Sequence, residues 1–343
     1  MSVFLEACRS KETDYTPVWF MRQTGRYLPE YSKIKGKLDI MDLLKHPEVC
    51  SELTILPVRK LGVDAAIIFA DIMLPLESMG VRFKIEEGVG PVIFNPIKTL
   101  DDVEQLNGLS PEEDLGYLWD SIRLTVEKLG ETPLIGFSGG PFTLATYLVE
   151  GRPTRDFTKT KVMMYGYPEI WNRLMTKLSR AVQTYLQAQV KYGVKAIQLF
   201  DSWAGCLSKE DYERYVLGYT KEVFGSLSGY SIPKIAFCAE SFHLLEAFKY
   251  LGADVISVDW RTPIWAVWKR CGDTFAVQGN LDPSLAVVGG EALKKGALDV
   301  LEQARGHLGH IFNLGHGVLK DTPVENLKEL VSLVHNNSKR GVR

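Results

Sequence analysis

The sequence predicts an α/β chain folded as a single (β/α)8 TIM barrel with a small insertion after the second strand. Three observations lead there. Eight short runs rich in Ile, Val and Phe recur along the chain, at residues 18–23, 65–71, 134–139, 196–203, 234–240, 255–260, 275–282 and 310–317. They are apolar on both faces, which fits buried parallel strands rather than half-exposed antiparallel ones. Helical stretches lie between them, and eight strands alternating with helices favour closure into a barrel over an open doubly wound sheet. No Ser/Gly-rich linker and no abrupt change of composition divides the 343 residues, so one domain over residues 1–343 is expected.

The elements follow in order. The first run empties into two arginines, Arg22 and Arg26, separated by Gln23, Thr24 and Gly25. A helix over 47–61 leads to the second run, which ends at Asp71. Residues 83–107, with Gly88, Gly90 and several prolines, fit poorly as a simple helix and read as an insertion, a small hairpin followed by a loop. A helix over 111–129 precedes the third run. The clearest amphipathic helix begins near Pro168 and places Ile170, Leu174, Leu178, Val182, Leu186 and Val190 at every fourth position. It stops at Tyr192-Gly193, where glycine terminates the helix before the fourth run. Further helices are expected over 209–226, 242–251, 291–305 and 322–335.

Composition narrows the function. The chain is 45% hydrophobic and 24% charged with a formal net charge of -2, so nothing suggests general attraction to nucleic acid or to a membrane. An anionic ligand would have to be held by locally gathered arginines. The five cysteines, Cys8, Cys50, Cys206, Cys238 and Cys271, are widely spaced and form no C-x-x-C pair, which points to a reducing compartment without a disulfide framework. The amino-terminal residues show no signal peptide and no apolar run is long enough to span a bilayer. A cytoplasmic protein is expected, although a plastid form stripped of its transit peptide would look much the same. There is no H-x-C or H-E-x-x-H cluster for zinc, no G-x-x-x-x-G-K-[ST] loop, and no G-x-G-x-x-G after the first run. A zinc site and a nucleotide cofactor therefore lack support.

In a barrel, chemistry gathers where the carboxyl ends of the strands open. That circle holds Arg22 and Arg26, Asp71, Ser138-Gly139-Gly140, Asp201-Ser202-Trp203, Glu240, Asp259, 278–282 and His316. Guanidinium groups grip carboxylates or phosphates bidentately and stay charged at any working pH. Two of them around a glycine at a strand exit suggest an anion pocket, whereas solvated surface pairs would contribute little energy. Asp71 lies in an apolar stretch, where an unpaired carboxylate costs on the order of several kcal/mol. Its partner is either structural, Arg22 or loop amides, or a ligand rich in N–H donors or positive charge. Gly139-Gly140-Pro141 could present helix amides to an anion. His316 is flanked by glycines that permit close backbone approach. Tyr147 lies one turn after Thr143 on the same helix, with a hydroxyl that needs a partner if buried.

These blocks resemble a known family. The segment Met21-Arg-Gln-Thr-Gly-Arg-Tyr-Leu-Pro-Glu30 is similar to the amino-terminal signature of the uroporphyrinogen decarboxylases. The resemblance extends through residues 65–71, Gly136-Phe-Ser-Gly-Gly-Pro-Phe142, Phe200-Asp-Ser-Trp-Ala-Gly205, 277–283 and Phe312-Asn-Leu-Gly-His-Gly317, in family order over essentially the whole chain. It implies a homodimer of (β/α)8 barrels that works without metal or organic cofactor and removes the four acetate carboxyls of uroporphyrinogen III. By the same resemblance, Asp71 accepts hydrogen bonds from pyrrole N–H groups. Arg22 and Arg26 hold side-chain carboxylates, with Arg22 also implicated in proton delivery. Gln23, Thr24 and Gly25 supply backbone between the arginines, and Tyr147, Ser202 and His316 line the cleft. Lys35 stands where some relatives carry arginine, and lysine lacks the planar fork. The rival readings are a non-catalytic porphyrinogen-binding protein and a corrinoid or thiol methyltransferase, the latter lacking its H-x-C zinc ligands here.

Overall fold

The computed structural model describes residues 2–36, 38–86 and 88–339. Its strands are β1 (Ala66–Ile67), β2 (Phe83–Glu86), β3 (Gly90–Ile93), β4 (Leu134–Gly139), β5 (Ala196–Phe200), β6 (Lys234–Cys238), β7 (Val255–Val258), β8 (Ala276–Gln278) and β9 (His310–Ile311). Among the described residues, seven of them form one curled parallel sheet in the order β1-β4-β5-β6-β7-β8-β9. All its strands therefore point the same way, and their carboxyl ends share one rim. The predicted double-sided burial holds: β4 is buried at every position, as is β7.

The first run departs from expectation. It was expected to be a strand, but the described backbone forms no ladder there. Val18 makes one isolated parallel bridge to Phe312. The Phe312 amide donates to the Pro17 carbonyl at 2.8 Å, and the Asp64 amide donates to the Val18 carbonyl at 2.8 Å. The segment thus lies between the chain after β9 and the chain before β1. Extended backbone ends almost at once, because the Gln23 amide turns back to the Phe20 carbonyl at 3.1 Å and Arg22 adopts a φ of 57°. Asp64 fastens this segment: its carboxylate accepts from the Val18 amide at 2.7 Å, from the Tyr15 hydroxyl at 2.9 Å, and lies 2.8 Å from His335 Nε2 on the carboxyl-terminal helix.

The stretch read as a hairpin is one. Strands β2 and β3 pair antiparallel from Phe83↔Ile93 to Glu86↔Gly90. The Ile93 amide donates to the Gly151 carbonyl at 2.8 Å, and the Ile97 amide to the Leu148 carbonyl at 2.9 Å, so the hairpin is tied to the end of the helix Pro141–Glu150.

The long helix runs Pro168–Lys191, and its Leu174, Leu178, Val182 and Leu186 are fully buried, while Ile170 and Val190 pack at the edge of the core. Burying such a leucine stabilises the fold by about 1.5–3 kcal/mol. The predicted helices over 111–129 and 209–226 are each interrupted, at Leu115 and Val216. Both leave helical φ/ψ while their side chains sink into the core. One continuous apolar cluster runs from Phe4 to Val334, and all five cysteines are free thiols.

Candidate active site

The rim is built from the strand exits upward. Val18, Trp19, Phe20 and Met21 are buried and deliver Arg22 to the surface in its left-handed conformation. Such a φ is uncommon outside glycine and is held here by its surroundings. The aliphatic stem of Arg22 lies flat on Gly317: a Cβ at that glycine would sit 2.8 Å from Arg22 Cγ. On its other side the same loop presses on the chain after β7, since a Cβ on Gly315 would collide with the Trp260 amide nitrogen and lie 3.1 Å from the Asp259 carbonyl carbon. The glycines around His316 are thus required by close approach. Among the described residues the Arg22 guanidinium has neither an ion pair within 4.0 Å nor a hydrogen bond, and Arg26 is exposed nearby.

Gln23 and Thr24 contribute framework through their side chains. Gln23 is fully buried, donating to the Ala65 carbonyl at 3.2 Å and accepting from the Phe20 amide at 3.2 Å. Thr24 donates to the Leu53 carbonyl at 2.7 Å, inside the helix Pro47–Leu61. What they and Gly25 present to the rim is backbone.

Asp71 follows β1. One of its oxygens accepts from the Met73 amide at 2.9 Å, which answers the question of its structural partner in favour of a loop amide. Removal from water pushes its pKa up, and the Met73 hydrogen bond and the charge of Arg22 act against that shift. Its second oxygen has no protein hydrogen bond among the described residues. Desolvation raises the phenol pKa of Tyr147, on the helix Pro141–Glu150; the charge of Asp71 adds to that shift and the charge of Arg22 opposes it, so it stays protonated. Its ring packs on Trp203 at 4.2 Å between centroids. His316 is pushed down to about 4, first by desolvation and then by the charge of Arg22, with Asp259 opposing. It is therefore neutral at physiological pH. Its Nδ1 accepts from the Gly317 amide at 2.8 Å, which leaves the proton on Nε2 as a donor. Asp71, Arg22, Tyr147 and His316 form one electrostatically connected set.

The amides expected to receive an anion at the start of the helix Pro141–Glu150 are taken by the chain itself. Asp201 Oδ1 accepts from the Thr143 amide and hydroxyl, both at 2.8 Å, and Gly140 provides the space for that carboxylate. Burial nonetheless raises Asp201 to about 6, and its Oδ2 has no partner. The neighbouring Ser202 is half-exposed at the rim, with no hydrogen bond from its hydroxyl among the described residues. Lys35 ends the helix Pro29–Lys35. Gln278, expected at the rim, turns inward instead: it accepts from Trp19 Nε1 at 2.8 Å and donates to Gln198 Oε1 at 3.0 Å and Ser257 Oγ at 2.9 Å. These four buried side chains from separate walls form a polar layer inside the curled sheet.

One charged rim residue was missed. Arg261 follows the sixth run by a single position and donates to the fully buried Asp259 at 2.7 Å. The signal was present, since an arginine directly after a strand exit is the pattern that singled out Arg22.

The rim gathers arginines, a half-buried carboxylate and a neutral histidine over a curled parallel sheet of seven strands among the described residues, which defines the class as α/β. Residues 1–337 match the family Uroporphyrinogen decarboxylase (URO-D), and the chain belongs to that family. Curated relatives named uroporphyrinogen decarboxylase include those of Carboxydothermus hydrogenoformans, 46% identical with 98% of this chain and 96% of the relative covered, and Sorangium cellulosum, 48% identical with 97% and 95% covered. The Bacillus subtilis relative is 44% identical, with 98% and 95% covered. A solved methyltransferase from Methanosarcina mazei shares the fold, with a TM-score of 0.81 at 18% identity over 97% of each chain.

Proposed function

We propose that this protein is a uroporphyrinogen decarboxylase, a carboxy-lyase of porphyrin and haem biosynthesis that converts the four acetate side chains of uroporphyrinogen III to methyl groups, giving coproporphyrinogen III. Sequence identity of 44–48% to curated uroporphyrinogen decarboxylases over nearly the whole chain carries that reading. The rim geometry fits the chemistry. Protonating a pyrrole α-carbon turns the ring into a cationic electron sink, the adjacent acetate loses carbon dioxide to leave an exocyclic methylene, a second proton converts that carbon to the methyl group, and loss of the α-carbon proton restores the neutral pyrrole.

Each residue then has a task. Asp71 accepts hydrogen bonds from the converging pyrrole N–H groups through the oxygen that no protein donor occupies, and its negative charge stabilises the cationic ring. Preorganised charge of this kind is worth most where water is excluded. Arg22 and Arg26 hold substrate carboxylates. Arg22 assists proton delivery through a bound carboxyl or water, since a guanidinium is itself too weak an acid to donate readily. His316 Nε2–H, the Tyr147 hydroxyl and the Ser202 hydroxyl donate to further carboxylates, and residues 23–25 supply the loop backbone. No external cofactor is needed.

The same reading makes the chain one (β/α)8 domain, with residues 17–19 in the eighth place of the wall and the β2–β3 hairpin as an insertion in the second β/α step. It also makes the enzyme a cytoplasmic homodimer. No helix among the described residues is long and apolar enough to cross a membrane. A zinc-dependent methyltransferase of the same fold would require a ligand cluster, and the described His, Cys, Asp and Glu residues form none. The test is incubation with uroporphyrinogen under reducing conditions and separation of the products by carboxyl count. Hepta-, hexa- and pentacarboxylate porphyrinogens should precede the tetracarboxylate product; a folded protein that binds the substrate and returns it unchanged would instead be a carrier.

A further inference from the structure

The rim away from Asp71 is charged in a way the roles above leave unused. In the curled sheet, β7 lies four places from β1, so the residues after β7 stand on a different wall of the rim from those after β1. There Arg261 donates to Asp259 Oδ2 at 2.7 Å and meets Glu240 Oε1 at 3.3 Å, with its guanidinium carbon 4.2 Å from the centre of the Trp260 ring. The three partners differ in kind. Asp259 is fully buried, its Oδ2 also accepts from the Glu240 amide at 3.1 Å, and its Oδ1 has no partner. Glu240 is largely exposed and follows β6 with a φ of 55°. Trp260 offers Arg261 a flat, part-exposed face.

A buried carboxylate is a costly way to hold an ordinary surface arginine, because desolvating the anion costs several kcal/mol while exposed ion pairs return about 0–1 kcal/mol. The arrangement makes sense if the arginine must stand in one place. Asp259 from below and the indole face fix the guanidinium plane, and a guanidinium so held offers further N–H groups to a second carboxylate. Glu240 now occupies that second position as a solvent-facing carboxylate. The placement also links to the known rim. The loop carrying His316 is clasped between the Arg22 side chain at Gly317 and the Asp259–Trp260 backbone at Gly315, which sets the two arginines on either side of His316.

We propose that Arg261 is a third carboxylate-binding arginine of this mouth, anchored by Asp259, and that it exchanges the Glu240 carboxylate for a propionate of the tetrapyrrole. The assignment rests on the decarboxylase reading. It selects a propionate because the acetates are consumed one by one beside Asp71 and Arg22, whereas the propionates survive every round. A grip on a different wall that must serve all four rounds needs a group that is always there.

Steady-state kinetics with uroporphyrinogen, and inhibition by coproporphyrinogen, test this in Arg261→Lys and Glu240→Gln. The lysine variant loses the fork and should raise KM about tenfold, as expected for one charge-assisted hydrogen bond, and should weaken coproporphyrinogen inhibition by a similar factor. Glu240→Gln removes the competing charge and should lower both constants. A purely structural pair would move the unfolding midpoint and give no opposite signs. Unchanged constants in folded Arg261→Lys, a raised KM in Glu240→Gln, or a KM change without a matching inhibition change would each overturn the proposal. Wild-type turnover in the same assay separates the two readings: an inactive wild type overturns the function itself, while an active one leaves any failure with Arg261.

Discussion

At the scale of single residues, the rim is defined by side chains whose fold obligations are incomplete. His316 is the clearest. Its Nδ1 is committed to the Gly317 amide, and burial together with Arg22 keeps the ring neutral down to about pH 4. In the proposed function it therefore meets a carboxylate as a hydrogen-bond donor and not as a cation. His316→Gln keeps an N–H donor at a similar reach and should raise KM for uroporphyrinogen less than His316→Ala does; equal effects would show that the donor is not used. The sign of its contribution to stability also follows. A histidine whose folded pKa lies below its unfolded value takes up a proton more readily when unfolded. Its share of stability is present above the unfolded pKa and is lost as pH falls from about 6.5 toward 4, so urea titrations of His316→Gln should lose less stability than wild type across that window.

At the scale of elements, the helix Pro141–Glu150 shows how a wall segment places chemistry. Asp201, from the exit of β5, caps its first turn, and Tyr147 rides on the same helix toward Asp71. Asp201→Ala should cost about 1–2 kcal/mol, the usual value of a lost helix cap, and should lower activity through Tyr147. The pH dependence here has the opposite sign to that of His316. Asp201 titrates at about 6 in the fold, above an unfolded carboxyl. Its contribution is full below the unfolded pKa and disappears as pH rises through 6. Asp201→Asn keeps an acceptor for the Thr143 amide without a buried charge, so its stability relative to wild type should improve between pH 4 and pH 7. A constant difference across that range would mean that Asp201 does not titrate there. This cap was only half legible in the sequence. Gly139-Gly140-Pro141 marked a helix start open to an anion, but that the anion is Asp201, 58 residues beyond Thr143, follows from the β4–β5 pairing.

At the scale of the whole molecule, the curled sheet is flanked by one weakly paired segment. Residues 17–19 make one bridge where the others make ladders, and Asp64 supplies the fastening by joining Val18, Tyr15 and His335. Asp64→Ala should destabilise the protein by about 2–4 kcal/mol, less than the sum of the three hydrogen bonds to a charged group that it removes because water replaces part of them, and should raise KM, because the segment leads directly to Arg22. Normal KM and stability would mean that the packing of Trp19 and Phe20 suffices. Seven of the eight runs were legible as strands because each is apolar on both faces and paired on both sides or packed at the sheet's start. The first run has the same composition but makes one bridge and no ladder, since a local turn at 20–23 and the φ of Arg22 end it, and neither has a signature in residue type. Likewise Arg22, Arg26, Asp71 and His316 were visible as polar residues at strand ends, whereas the inward turn of Gln278 depends on partners 80, 21 and 259 positions away.

In the proposed function Asp71 serves the substrate: one oxygen is bonded to a loop amide, the other has no protein hydrogen bond among the described residues, and burial pushes its pKa up. The most direct test is the turnover of uroporphyrinogen by Asp71→Asn, measured beside its unfolding midpoint. The proposed role of Asp71 predicts a loss of about 10²–10³-fold in kcat, typical of a deleted electrostatic stabiliser, with stability equal to or above wild type. Near-normal turnover, or a loss of activity that only tracks unfolding, would contradict it.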